Sequence, residues 1–477
     1  MSSAKTIAKN TGFLLTAEIV DKLLRFFLIV VITRYLGDIG FGIYSFAFAF
    51  ISMFSILANF GLNTFMVREI ARDKSKTEKF VNNIITLKLS IVTIVFSLSF
   101  IIALLWDKSA QITPIIFLVI IHEIIETLIL TIRVMFNAHE KMHYTLFVTV
   151  IERTIALLAG LVALYRGYGL MGLITALIIS KLITLLSSYI ISRKKFIKIK
   201  LSFDFEFWKY AVKRALPFWF TLLFFRIYTK TDTIMLSAMK GFAETGWYNA
   251  ASKLIEALSF FPDVIINAVF PSMSRFHETS KDLLQVLFRK TFYYMFVLSF
   301  PLTVGVTILA NRFIIFIYKN EFVLSGSILQ ILIWAVLFMF VNQSMGYLLN
   351  AINKQKCFTI SNGVCAFANI ILNLALIPKY SYIGAAIATV STQIISFSLL
   401  YYFTSANGYK INLIKTTYKP IIAGIIMGVS ILYLNFLHIL LIVPIAMILY
   451  FLALILIGGF GKEEFDLVRS LIKREKT

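Results

Sequence analysis

Cysteine is scarce in this chain. Cys357 and Cys365 are the only two in 477 residues. Neither falls in a CxxC or Cys/His spacing, so no zinc site and no disulfide framework is expected, only two ordinary apolar thiols. Charge is scarce as well. Charged residues make up 15% of the chain and hydrophobic ones 59%, with a mean hydropathy of +0.86, whereas soluble domains run about 25% charged and about 45–50% apolar. That excludes a soluble enzyme and indicates an integral membrane protein with many spans. Acids are scarcest: 24 Asp and Glu stand against 46 Lys and Arg, a net charge of +22. Such an excess can signal nucleic acid, but here it sits in short loops between apolar segments, so no nucleic-acid partner is expected. The chain contains no GxGxxG and no GxxxxGK[ST], which argues against direct ATP coupling. It also lacks a long external loop with paired carboxylates of the kind expected in a membrane glycosyltransferase or polymerase. No catalytic constellation, metal group or cofactor motif is present. Met1–Asn10 is short and polar and the next segment is too long and too charged for a signal-peptide core, so the first span is expected to remain as an uncleaved anchor.

What is there in abundance is long apolar segments. A membrane helix needs roughly 20 mostly apolar residues. Fourteen such segments can be read, near 11–33, 41–63, 81–105, 113–136, 144–165, 169–191, 214–237, 247–270, 291–310, 326–349, 358–377, 382–403, 418–436 and 438–458. A tight turn is required at Leu437–His438, because an unbroken span from 418 to 458 is too long. Loops on one side carry 30 Lys and Arg and loops on the other carry 7. This bias places both termini in the cytoplasm of a multi-pass protein in the cell (plasma or inner) membrane, and requires an even number of spans. In the longest polar segment, 193–213, Ile197, Ile199, Leu201, Phe203, Phe205 and Phe207 alternate with polar residues, the period-two pattern of an extended strip on the membrane surface. The tail 461–477 places Phe465, Val468, Leu471 and Ile472 on one helical face, the pattern of an interfacial amphipathic helix.

The chain repeats itself. Gly37-x4-Gly42-x-Tyr44 recurs as Gly241-x4-Gly246-x-Tyr248, Asn137-Ala138-x-x-Lys141 as Asn350-Ala351-x-x-Lys354, and Tyr168-x3-Gly172-x3-Ala176 as Tyr380-x3-Gly384-x3-Ala388. The offsets are 204, 213 and 212 residues. Three matches in the same order at nearly one offset imply two copies of six spans each. Six is even, so the copies share one orientation, as in transporters that alternate access around a site between two parallel halves. The expected organisation is an N-lobe at 1–192, an interfacial linker at 193–213, a C-lobe at 214–404, two further spans in 405–460 and the amphipathic tail at 461–477. The fold class is an all-α integral membrane protein of about fourteen transmembrane helices.

Nine Lys and Arg fall inside these spans, where charge is costly and faces the interior. Lys88 and Lys181 are close enough to helix ends to reach water by snorkelling. The other seven, Lys22, Arg25, Arg133, Arg153, Arg226, Lys230 and Lys253, are candidate substrate-binding cations. A cationic interior suits an anionic substrate, and arginine's fork suits phosphate. Glu18, Asp21, Glu126, Asp232 and Glu256 are candidates for binding a coupling H+ or Na+. Glu18, Asp21, Lys22 and Arg25 share one arc of the first span, and their i,i+4 spacings also suit plain structural ion pairs. His122, Glu126, Arg133 and Asn137 share a face of the fourth span. Asn249, Lys253, Glu256, Asp263 and Asn267 share one in the eighth, and Asn362, Asn369 and Asn373 form an uncharged stripe in the eleventh.

Fourteen spans arranged as 6 + 6 + 2, Arg34-Tyr35-Leu36-Gly37 before the first glycine–tyrosine motif, Asp232-Thr-Ile-Met-Leu before the second, and Tyr382-Ile383-Gly384-Ala385-Ala386 in the last repeat span resemble the polysaccharide (Wzx-type) flippase branch of the multidrug/oligosaccharidyl-lipid/polysaccharide exporter superfamily. The resemblance covers almost the whole chain. It implies two lobes, as in the multidrug branch, around a V-shaped cavity. It also implies translocation of a polyprenyl-diphosphate-linked oligosaccharide from the cytoplasmic to the outer leaflet by alternating access, driven by an ion gradient. Lys22, Arg25, Arg226, Lys230 and Lys253 would then line the cavity and meet the diphosphate. Membrane lipids and polysaccharide assembly enzymes would be partners of a monomeric protein. The alternatives are an ion-coupled multidrug or metabolite exporter, a lipid II flippase, and, in a different class, a membrane glycosyltransferase or polymerase. The related lipid II flippases carry an arginine in span two, where this chain has only Asn59 and Asn63 as strongly polar residues.

Overall fold

The computed structural model describes residues 2–106 and 112–460. The tail 461–477, expected to be amphipathic, lies outside the described residues. Among the described residues there is no strand, and the α-helices are α1 (Ser2–Asn59), α2 (Leu62–Arg72), α3 (Thr77–Trp106), α4 (Thr113–Ala138), α5 (Met142–Tyr165), α6 (Gly169–Lys195), α7 (Phe205–Met239), α8 (Phe242–Leu258), α9 (Phe260–Thr279), α10 (Lys281–Tyr318), α11 (Ser325–Ala351), α12 (Gln355–Ala406), α13 (Leu413–Tyr433) and α14 (Ile439–Leu456).

Eleven helical stretches are long and apolar enough to cross a membrane. Two of them are double. Gly12–Asn59 has 48 residues and Gln355–Ala406 has 52. At about 1.5 Å per residue each is more than twice the roughly 30 Å hydrocarbon thickness. Each is broken by a residue with positive φ, Gly37 (φ 68°) in α1 and Ser381 (φ 48°) in α12. Helix α7 takes the place of the remaining expected span; Arg226, Lys230 and Asp232 make it the most polar of the set. Two expectations are refined. The eighth span is interrupted at Ser259, so Asn249, Lys253 and Glu256 lie on α8 while Asp263 and Asn267 lie on α9, dividing the single stripe. The turn expected at Leu437–His438 is present: α13 ends at Tyr433, and His438 caps α14.

The repeat is built into the backbone. Gly37 (φ 68°) and Gly241 (φ 108°) are 204 residues apart, Glu140 (φ 58°) and Asn353 (φ 61°) are 213 apart, and Gly169 (φ 59°) and Ser381 (φ 48°) are 212 apart. Left-handed conformations are uncommon outside glycine, so their recurrence at the offsets of the sequence motifs marks the same chain reversals made twice. The motif glycines Gly42 and Gly246 have a further reason to lack a side chain. A Cβ on Gly42 would lie 1.8 Å from the carbonyl oxygen of Phe242, and one on Gly246 would lie 2.0 Å from that of Asp38. Since 38 and 242 also differ by 204, α1 and α8 cross with each copy's glycine on the other copy's carbonyl.

The chain divides into two compact units, one of Met1–Lys253 with Asn362–Ala385 and one of Leu254–Ser361 with Ala386–Thr477. The segments 214–253 and 362–385, which the sequence assigns to the C-lobe, therefore pack in the first unit. In that unit α1 packs on α5 and α7, and α6 on α4 and α5. Its buried clusters are centred on Phe65, Phe80 and Phe136 and on Phe46, Phe96 and Ile129. In the second unit α10 packs on α11 and α13, and α13 on α14, around Phe288, Phe292 and Phe340 and around Tyr450 and Met427. Within lipid such contacts hold by close packing rather than by expulsion of water.

The linker has neither helix nor strand from Ile197 to Asp204, and α7 begins at Phe205. From Lys200 on, alternate N–H groups are tied to α3: Lys200 donates to Asn82 Oδ1 (3.0 Å), Ser202 to Thr86 Oγ1 (3.0 Å) and Asp204 to Asn83 Oδ1 (3.1 Å). Asp204 then caps α7, accepting from the N–H of Phe207 at 2.9 Å and pairing with Lys79 at 3.3 Å. That N–H, followed by the Lys79 ammonium, holds its carboxyl below the usual carboxylate range.

Candidate functional site

The intramembrane charges are gathered by α1, α4, α5 and α6 into one network in the first unit. Its centre is Glu152 on α5, whose side chain is 1% exposed. Glu152 accepts from Arg133 of α4, from Lys181 of α6 at 2.6 Å, and from Arg153 at 3.1 Å. Lys181 also reaches Glu126 of α4, and Arg153 also reaches Asp21 of α1. Asp21 pairs in turn with Arg25 at 3.2 Å, and one turn away Glu18 pairs with Lys22 at 3.3 Å. Helical spacing explains the convergence. Asp21 and Arg25, and Glu18 and Lys22, are i,i+4 neighbours on one arc, and Glu126 and Arg133 are two turns apart on one face.

Four side chains that the sequence reading did not single out as site residues take part in polar clusters here. Glu152 is an acid in mid-span, a signal in itself. Lys181 does not snorkel; it is buried between two carboxylates. Glu123 accepts from Ser55 Oγ at 3.2 Å and lies 3.3 Å from His122. Lys88 does not snorkel either. Its side chain is fully buried, and its ammonium donates to Asn59 Oδ1 (3.1 Å), Asn63 Oδ1 (2.6 Å) and Thr131 Oγ1 (3.0 Å). The two asparagines noted in span two thus hold a lysine from span three beside the chain break at Phe60–Gly61, where both residues have positive φ.

A second polar cluster surrounds Asp232 of α7, which is 5% exposed. Asp232 accepts from Tyr248 Oη at 2.7 Å, from Asn369 Nδ2 at 2.9 Å and from Asn373 Nδ2 at 2.6 Å. Two of the three asparagines of the eleventh-span stripe, Asn369 and Asn373, are thereby placed on the acid that follows Arg226 and Lys230. Asn373 Oδ1 is buried with no hydrogen-bond partner among the described residues. A carboxylate beside an unused amide oxygen is the kind of hard-oxygen donor set that takes Na+ or a proton.

The remaining candidates lie outside both clusters. Arg226 is exposed on α7 and has no carboxylate partner among the described residues. Lys230 and Lys253 are half-buried and Glu256 is exposed. Asp263 accepts from Gln343 at 2.8 Å within the second unit. Thus Arg133 and Arg153 are engaged by carboxylates of their own unit, Lys22 and Arg25 are paired but partly open, and Arg226 is open. Among the described residues no three His, Cys, Asp or Glu side chains group as a metal site.

Comparison with known proteins agrees with this architecture. The family model described as polysaccharide biosynthesis protein matches residues 7–277, and that described as MatE matches 217–375. The capsular polysaccharide biosynthesis protein CapF of Staphylococcus aureus is 21% identical over 404 residues, 83% of this chain and 99% of CapF. The probable low-salt glycan biosynthesis flippase Agl15 of Haloferax volcanii is 21% identical over 230 residues, 47% of each chain. The chain spans only about half the length of two of the curated relatives it matches, 50% of the uncharacterized membrane protein MJ1068 of Methanocaldococcus jannaschii and 47% of Agl15. Among solved structures, the lipid II flippase MurJ in an inward closed conformation superposes with a TM-score of 0.76 at 17% identity, covering 96% of this chain and 98% of that one. At that identity the likeness is one of fold.

Proposed function

This chain belongs to the polysaccharide biosynthesis protein family, and we propose that it is a flippase for a lipid-linked oligosaccharide. It is a multi-pass membrane transporter of the multidrug/oligosaccharidyl-lipid/polysaccharide exporter superfamily and not an enzyme. In our reading the substrate is a polyprenyl-diphosphate-linked glycan precursor, moved from the cytoplasmic to the outer leaflet of the cell membrane by alternating access, with both termini cytoplasmic.

The observation that carries the proposal is the state of Arg226. An arginine in mid-span that faced lipid would be penalised by several kcal/mol (about 2.5–3.5 on insertion scales), and an arginine already neutralised would hold no ligand. Arg226 is exposed and has no carboxylate partner among the described residues. A polar passage with an anionic occupant answers both points, and the guanidinium fork fits a diphosphate. Lys22 and Lys230, and at the margins Arg25 and Lys253, assist. Arg133 and Arg153 are assigned a structural role, since Glu152 and Asp21 already hold them. Gradient coupling is assigned to Asp232, whose carboxylate accepts from the Nδ2 groups of Asn369 and Asn373 and lies beside the unused Oδ1 of Asn373. Asp21, Glu18 and Glu126 are tied to cations.

The test is translocation of a polyprenyl-diphosphate oligosaccharide in proteoliposomes under an imposed Na+ or pH gradient. Wild-type protein flips it. Arg226→Ala and Lys22→Ala each lose most of the rate, and Asp232→Asn flips without response to the gradient. Normal flipping by both cation variants overturns the assignment of the cations.

A further inference from the structure

The first unit carries an apolar groove that the transport reading does not use. It is bounded by Leu89 of α3, Leu128 and Ile132 of α4, Leu186 and Tyr189 of α6, and, at one end, Ile199 of the linker strip. Its volume is about 430 Å³, and every wall is apolar. Leu186 is 59% exposed, so the groove opens sideways, toward the surface that these apolar helices present to lipid. It follows α6 from Leu182 to Tyr189. That is roughly 10 Å of helix at 1.5 Å per residue, within the ~15 Å hydrocarbon depth of a single leaflet.

The Ile199 end of the groove is strongly basic. Arg193 lies one turn beyond Tyr189 on the same face of α6, and Lys198 and Lys200 flank Ile199. With Lys194 and Lys195 there are five exposed basic residues between 193 and 200 and no acidic one. The same end is an interfacial anchor. Leu201, Phe203 and Phe205 are 63%, 64% and 72% exposed, and Trp208 rests on Phe205 and Phe203 at 5.0 and 6.0 Å. An apolar and aromatic row beside lysines seats in the headgroup layer. The strip cannot drift from the groove, because its N–H groups are tied to α3.

We propose that this groove is a binding site for an anionic phospholipid, with one acyl chain lying between α3, α4 and α6 and the phosphate held by Arg193, Lys198 and Lys200. The chain gains little by leaving neighbouring lipid for the groove, since both surroundings are apolar. Selectivity therefore comes from the headgroup, as in basic pockets at the ends of other transmembrane helices. A groove of single-leaflet length with basic residues at one end fits a glycerophospholipid better than a long isoprenoid chain. The site is distinct from Arg226, Lys230 and Asp232 on α7. A lipid seated here would pin the linker between the two repeats to the helices of the first.

The test uses the full-length protein, purified and washed in detergent, then exposed to mixed micelles of phosphatidylglycerol or phosphatidylcholine. Bound lipid is counted by native mass spectrometry. Wild type retains one phosphatidylglycerol and releases phosphatidylcholine. Arg193→Gln combined with Lys200→Gln weakens retention roughly 25-fold, about fivefold per charge. Leu186→Trp, which fills the groove, abolishes retention, whereas Leu158→Trp on the exposed face of α5 does not. Size-exclusion profiles confirm that each variant is folded. Equal retention of the two lipids, or unchanged phosphatidylglycerol binding in Leu186→Trp, overturns the proposal. Displacement of phosphatidylglycerol by an equimolar polyprenyl diphosphate overturns the choice of occupant and assigns the groove to the tail of the transported lipid.

Discussion

Replacing Glu152 by glutamine should unfold the first unit more readily than removing any other single charge in its membrane interior. Glu152 touches three cations: Arg133, Arg153 at 3.1 Å and Lys181 at 2.6 Å. The three losses differ in weight. Lys181 keeps Glu126 and Arg153 keeps Asp21. Arg133 keeps no other ion pair among the described residues, and its Nε is already buried without a hydrogen-bond partner. The variant therefore strands one guanidinium, 13% exposed, in a helix interior. Removing one partner of a buried pair costs about 3–5 kcal/mol. The glutamine oxygen can still accept one hydrogen bond, which returns about 1 kcal/mol, leaving about 2–4. Asp21→Asn is a natural control. It deprives Arg25, whose side chain is 58% exposed, and an exposed pair is worth about 1 kcal/mol or less; Arg153 loses Asp21 but retains Glu152. The assay is reversible unfolding in mixed micelles with increasing SDS, followed by far-UV circular dichroism. Adding Arg133→Met to Glu152→Gln removes the stranded charge and should restore at least half of the lost stability. If Glu152→Gln lies within about 0.5 kcal/mol of wild type, or if Arg133→Met makes it worse, the network is not what holds these four helices together.

Two further outcomes follow from close contacts. Gly246→Ala should cost about 1–3 kcal/mol through overpacking, because its Cβ would sit 2.0 Å from the Asp38 carbonyl oxygen, part of a backbone that cannot turn aside; Gly42→Ala should cost a similar amount in the same SDS titration, and a neutral result for both would disprove the crossing of α1 and α8. Lys88→Met should loosen the Phe60–Gly61 break by leaving Asn59, Asn63 and Thr131 without their shared donor, at about 1–3 kcal/mol, and limited proteolysis near Gly61 should speed up; an unchanged cleavage rate would count against the latch.

How much of this was legible beforehand divides along physical lines. The spans, the tight turn before His438 and the repeat were readable, because apolar length and glycine spacing are local properties of a helix. The period of two after Ile197 has a counterpart in the alternate N–H groups of Lys200, Ser202 and Asp204 that bond α3. What periodicity could not supply was the partner of each charge. Arg133 and Arg226 look alike in sequence, each an arginine in mid-span. Only the packing of α4 against α5 and α6 shows that the first is held by Glu152 while the second is open. Lys88 misled for the same reason. Its place near a helix end suggested an escape to water, but Asn59 and Asn63 come from a distant part of the chain and give it neutral oxygens inside. The break at Ser259 did carry a local signal, Pro262, which stands three residues on in the first turn of α9, where its missing N–H is tolerated.

The two copies allow structural charge to be separated from functional charge without any relative. A residue that serves only the packing of its own copy is free to be replaced in the other. At the offset of 204, Asp21 falls on Phe225, Arg25 on Thr229, and Asp232 on Leu28, which is buried. At 213, Glu126 falls on Met339 and Arg133 on Gly346; at 212, Lys181 falls on Gln393, and Glu152 and Arg153 fall on Val364 and Cys365. The whole Glu152 network is therefore uncharged in the second copy, and Asp232 and its asparagines have only apolar counterparts in the first. Each is an invention of one copy. Lys22 and Arg226 are different. They are 204 residues apart, and both are basic in mid-span. Of the charged candidates they are the one pair matched by charge, although nothing in the packing of α1 requires the match: Lys22 pairs with Glu18, whose counterpart is Leu222. A cation kept in both copies while its local counter-ion is dropped in one is held by something other than its own copy. An anion presented to both satisfies that condition, so Lys22→Ala and Arg226→Ala should impair transport of the lipid diphosphate to a similar degree, and a normal rate in one of them would show that the match is inherited rather than used.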